Sequence, residues 1–171
     1  MPPRPSDGEA GAARADLARA LARLDAYSFF TVPADASSGG DLVVLGTTGA
    51  FLVKACGLRG VALVEGRRPL VGEAAVPGLR ALRSGAKKLS HRLRGAGLTA
   101  SVEPVVCLTQ AIAPSAAQAA GVRFVRVADV AHDLSARPGL QSHTRAQRAA
   151  RALGMQVAGD RKRHFAIRSE H

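Results

Sequence analysis

The chain has no tryptophan, one tyrosine and five phenylalanines in 171 residues. So few aromatics argue against a platform that stacks unpaired bases. Acid is also scarce, with 13 Asp and Glu against 24 Lys and Arg and a formal net charge of +11. That balance favours polyanionic partners such as DNA or RNA. A coding background rich in Arg, Ala and Gly yields the same balance with no target, so both readings stand. The two cysteines, Cys56 and Cys107, lie inside apolar runs with no CxxC or Cys/His spacing. They are expected to be buried, reduced thiols, with a bridge between them left open. The five histidines show no HExxH or other ligand spacing, which speaks against zinc. His132-Asp133 reads as a surface pair. No P-loop, GxGxxG or GxSxG is present. No apolar run approaches ~18 residues, and MPPRPSDGEAG has no apolar signal core. A soluble, cytoplasmic protein without membrane contact is expected.

What is present suits one small domain: 47% of residues are hydrophobic. Residues 1–6 are Pro-rich and expected to be disordered, 7–153 form the domain, and 154–171 form a basic tail. Ser6 or Asp7 caps a first helix whose apolar stripe is Ala10, Ala13, Leu17, Leu21 and Leu24. Strands are expected at 27–32, 41–45, 50–56, 61–65, 102–108 and 122–127, and one more in the tail at Phe165–Ile167. Helices are expected at 76–94, 114–120, 128–134 and 144–153. Early hairpins followed by β-α-β units make an α/β fold with a mixed sheet flanked by helices.

Strands 41–45 and 50–56 flank Gly46-Thr47-Thr48-Gly49 and form a hairpin. Pairing outward from Leu45 and Ala50 sets Val43 opposite Leu52 and Asp41 opposite Lys54. Side chains alternate between faces, so Leu52 and Lys54 share one. Directly opposed residues have Cβ atoms ~5 Å apart, so an acid meets a lysine at the hairpin's end. A cross-strand ion pair satisfies the lysine without any chemistry.

The segment GGDLVVLGTTGAFLVKA resembles the core of the nuclease-related (NERD) family of the PD-(D/E)xK superfamily, where an Asp-led strand, a turn and a (D/E)-x-K strand follow one another. The upstream DGEAGAARADLARAL is similar to the family's opening Gly-Glu helix. The later helix, VEPVVCL and GVRFVRVADVAHDL also come in the family's order, so the resemblance spans most of residues 8–153. It implies a restriction-endonuclease-like mixed sheet and Mg²⁺-dependent phosphodiester cleavage. Glu9 matches the helix glutamate, Asp41 the metal-binding aspartate and Lys54 the motif lysine, so Asp41 and Glu9 would hold the metal. Leu52 stands where the second carboxylate is expected, and the family's glutamine-containing segment is not recognisable in residues 74–82. Mg²⁺ needs oxygen ligands to polarise a phosphate and acidify water, and leucine offers none. Glu65 on the following strand is an alternative carboxylate. The catalytic set is therefore degenerate, and Glu9 is otherwise an ordinary first-turn acid.

Basic residues form two further candidate sites. On helix 76–94, Arg80, Arg83, Lys87, His91 and Arg94 fall off the apolar stripe. On helix 144–153 the corresponding residues are Arg145, Arg148 and Arg151, followed by Arg161-Lys162-Arg163-His164. Either could contact backbone phosphates, or simply be a solvated face. The sequence therefore points to a degenerate nuclease-related domain that binds nucleic acid with little cleavage. An active Mg²⁺-dependent nuclease and a non-catalytic interaction module are the alternatives.

Overall fold

The computed structural model describes residues 6–25, 28–95 and 101–154. The tail, with the strand expected at Phe165–Ile167 and the basic run 161–164, lies outside them, as do residues 1–5.

Helix α1 (Asp7–Leu21) opens on a capping box. Ser6 Oγ accepts from the Glu9 N–H, and Glu9 Oε2 accepts from the Ser6 N–H at 3.0 Å. Strands β1 (Phe29–Pro33), β2 (Leu42–Gly46) and β3 (Gly49–Cys56) form an antiparallel meander. The β2–β3 turn is Thr47-Thr48, two residues shorter than the expected loop, but the register is as read: Val43 faces Leu52 and Leu45 faces Ala50.

Strand β7 (Val102–Leu108) lies parallel to β3, and β10 (Val122–Arg126) parallel to β7. With β9 (Ala116–Ala119) at its edge, the main sheet has the order β1-β2-β3-β7-β10-β9 and is flanked by helices, a mixed α/β sheet like that of restriction endonucleases. A smaller sheet, β6-β5-β4-β8, is built from β4 (Gly60–Leu63), β5 (Leu70–Val71), β6 (Ala74–Ala75) and β8 (Ala111–Ile112). The strand expected at 61–65 belongs to this second sheet rather than to the meander.

Alternation sorts the core into two layers. On one face, Val43, Leu45, Leu52, Cys56, Val106 and Phe124 pack against α2 (Leu79–Gly95) and α4 (His143–Ala152). On the other, Val44, Phe51, Val53, Val105, Cys107 and Val125 pack against α1 and α3 (Val130–Ser135). Helix α2 starts later than expected because Gly78 has φ +74°, outside the helical region. Gly85 inside α2 permits close approach: a Cβ there would lie 1.8 Å from the Ser38 carbonyl oxygen. This seats the short 3-10 turn Ala36–Ser38 directly on the helix.

The helix expected at 114–120 is instead strand β9 (Ala116–Ala119), paired antiparallel with β10. Its alanines favour helix locally. Pairing with β10 overrides that preference, closed by a tight turn with positive φ at Ala120 (53°) and Gly121 (73°).

Candidate functional site

Asp41 sits just before β2, and its N–H donates to the Val53 carbonyl at 2.8 Å. Its Oδ2 accepts from the Ala55 N–H, also at 2.8 Å, extending the β2–β3 ladder where the backbone of β2 ends. Among the described residues no ion pair joins Asp41 to Lys54, which corrects the cross-strand pair expected from the sequence. The carboxylate is engaged with backbone instead. The Lys54 ammonium lies at the start of α2, 3.0 Å from where a Cβ on Gly78 would be. The positive end of the helix dipole lies there too, so α2 offers it no counter-charge.

Leu52 is wholly buried on the α2 face. Gly40 closes over it so tightly that a Cβ would lie 2.6 Å from Leu52 Cδ1. A ligand at position 52 would therefore sit in the core, beside Val43 rather than beside Asp41. The β3 residues that share Asp41's face at the sheet's end are Lys54 and, one step outward, Cys56. The position that could complete a carboxylate pair with Asp41 is occupied by the lysine itself.

Glu9 belongs to the other layer. Helix α1 packs on the face opposite α2, and the Glu9 carboxylate is committed to its capping box. It borders a cleft of about 60 Å³ with Asp16, Arg59, Thr109 and Gln110, beyond the carboxyl ends of β3 and β7. Glu65 is exposed in the connection between β4 and β5 of the small sheet. Among the described residues, no group of three or more His, Cys, Asp or Glu is placed to hold a metal ion. A Mg²⁺ site of the kind the resemblance implies does not fit these residues. One carboxylate is taken by backbone, a second lies across the sheet, and a cation stands where a further oxygen is needed.

Cys56 and Cys107 are buried on opposite faces, which rules out a bridge between them. Burial pushes the Cys107 thiol up to about 12, with the neighbouring Cys56 and Asp16 adding to the rise. Burial also raises Cys56, against a backbone bond at Leu58 and the Lys54 charge. Neither thiol is a ready nucleophile.

The basic residues are arranged differently. Helix α2 carries six Lys and Arg and α4 three, and neither carries an Asp or Glu. The two helices touch, on the same face of the sheet. Arg80, Lys87, His91, Arg94, Arg145, Arg148 and Arg151 are all exposed, as are Lys88 and Arg92, which the sequence reading left out. Arg83 is the exception: its guanidinium donates to the Ala120 carbonyl and clamps the β9–β10 turn. Among the described residues no ion pair involves α2 or α4. On the opposite layer, α1 and α3 carry four acids, Asp7, Glu9, Asp16 and Asp133, against two arginines, Arg14 and Arg19.

A second ionic group escaped the sequence reading. Asp133 is not a surface acid: its side chain is 13% exposed and bonds both Arg123 and Arg137. Arg137 also pairs with Glu103 and lies 5.0 Å from the Phe51 ring centroid. Burial works to raise the Asp133 carboxyl, but the bonds and charges of Arg123 and Arg137 outweigh it and hold it below the usual range. These residues span more than thirty positions, and no spacing signals their meeting. Among the described residues no helix is long and apolar enough to cross a membrane.

No family model, curated protein or solved structure matches the chain.

Proposed function

We propose that the chain is a degenerate nuclease-related domain that binds DNA or RNA through backbone phosphates and cleaves little or none. The observation that carries this reading is the α2–α4 face, where eight exposed Lys and Arg meet no acid. Solvated helix faces usually mix the two signs in i,i+4 pairs. A face of one sign stores repulsion that a row of phosphates relieves, with release of counterions. The weakness of the reading as an enzyme lies at the hairpin end, where Asp41 faces Lys54 and lacks a second oxygen ligand.

Two measurements test it together. Retention of labelled DNA and RNA is followed as salt rises, and cleavage of plasmid and single strands is followed with Mg²⁺ and Mn²⁺, beside Asp41→Ala. The expected result is salt-sensitive retention with cleavage no greater than that of the variant. Metal-dependent cleavage lost in Asp41→Ala would instead make the chain an active nuclease. Absence of retention at low salt would leave an interaction module.

A further inference from the structure

We infer that the α2–α4 face takes a double helix, with α2 meeting one phosphate row and α4 the other across a groove. This rests on the nucleic-acid reading above and specifies its partner. Helix α2 starts at the Lys54 end of the sheet and finishes by Val102, whose N–H donates to Ser90 Oγ. Helix α4 starts at the other end, beside the β2–β3 turn, where the Leu140 and Gln141 N–H groups donate to the Thr47 carbonyl. The two touch, so their exposed cations are carried on neighbouring rigid supports, one set on each helix. Axes of packed helices lie about 8–10 Å apart, between the widths of the two B-form grooves at about 6 and 12 Å, so long Lys and Arg side chains from each helix can reach the phosphate rows bordering one groove. Along α2, Arg80, Lys87 and Arg94 recur every seventh residue, a row about 21 Å long.

A single strand offers only one row of phosphates, and its other attraction, base stacking, finds little here. Neither α2 nor α4 carries Phe, Tyr or Trp, and of their two imidazoles, His91 and His143, the second is engaged with Phe30. Phe29, Phe51 and Phe124 are buried, and Phe30 is half-buried against the ring of His143. Electrostatic contact alone favours the duplex, which carries one charge per about 1.7 Å.

The test uses the full chain, a short duplex and its separated strands, with affinity measured against salt. Lys87→Ala with Arg94→Ala strips the α2 row, and Arg145→Ala with Arg148→Ala strips the α4 row. All four side chains are exposed, and thermal unfolding checks that each variant folds. The duplex is expected to bind at least about tenfold more tightly than either strand. Each pair should flatten the duplex salt slope by roughly two, and the two effects should add. Equal affinity for single strands, or one pair without effect on the duplex, overturns the two-row inference but leaves phosphate binding intact. No salt-sensitive binding to any of these would overturn the underlying reading as well.

Discussion

The Asp41 carboxylate and the Ala55 backbone are joined by a 2.8 Å hydrogen bond that extends the β2–β3 ladder beyond the end of β2. A side chain does the work of a backbone carbonyl there. Removing it leaves a half-buried N–H without its acceptor, so Asp41→Ala is expected to lose about 1–2 kcal/mol in urea unfolding. Asp41→Asn keeps an acceptor oxygen and should lose less. Equal losses in the two variants would show that the charge, not the bond, matters.

Lys54→Glu would place two carboxylates opposite one another at the hairpin end, where like charges repel unless a cation lies between them. A rise in Tm of about 2–4 °C with millimolar Mn²⁺ is expected in this variant and none in the natural protein. Leu52→Glu should behave otherwise. It buries an acid in a sealed site, and a loss of at least about 3 kcal/mol without any metal response is expected. A Mn²⁺ response in Leu52→Glu would contradict the register argued for the site.

Gly85→Ala offers a test of packing against propensity. In an open helix interior alanine gains about 1 kcal/mol over glycine. Here its Cβ would meet the Ser38 carbonyl at 1.8 Å. A net loss of about 2–3 kcal/mol is expected in chemical denaturation, opposite in sign to the propensity.

Asp133 gives the acid limb of stability a definite cause. Its folded pKa is depressed, so the stabilisation is present above the unfolded value near 3.8 and is lost as pH falls through the lower folded value. Asp133→Asn should therefore lower stability at neutral pH, by about 1–3 kcal/mol, and flatten its fall below pH ~4. A variant that unfolds in acid with an unchanged slope would remove Asp133 from that role.

The hairpin was legible because period-2 alternation and a Gly-bounded turn fix register locally, and Asp41 opposite Lys54 follows from that alone. Helices α1, α2 and α4 were legible from their stripes, and the restriction-endonuclease-like order of elements from their sequence. Strand β9 was not, because its alanines carry a helical preference that only pairing with the next strand, β10, reverses. The fate of the Asp41 carboxylate was hidden for a related reason: a backbone N–H is the same in every residue and leaves no trace in the sequence. The Arg123–Asp133–Arg137–Glu103 group depends on three elements converging, which spacing does not encode. The single sign of the α2–α4 face could be read in each helix, but their adjacency could not.

Among the described residues, nine positive charges on α2 and α4 against a net two negative on α1 and α3 set a dipole between the helical layers, directed across the sheet. In the field of a polyanion such a dipole feels a torque before any contact is made. It would tumble into encounter with α2 and α4 leading, so fewer collisions arrive wrongly oriented. The gain lies in the association rate rather than the lifetime of a complex, and it fades once ionic strength shortens the reach of the field to about 8–10 Å.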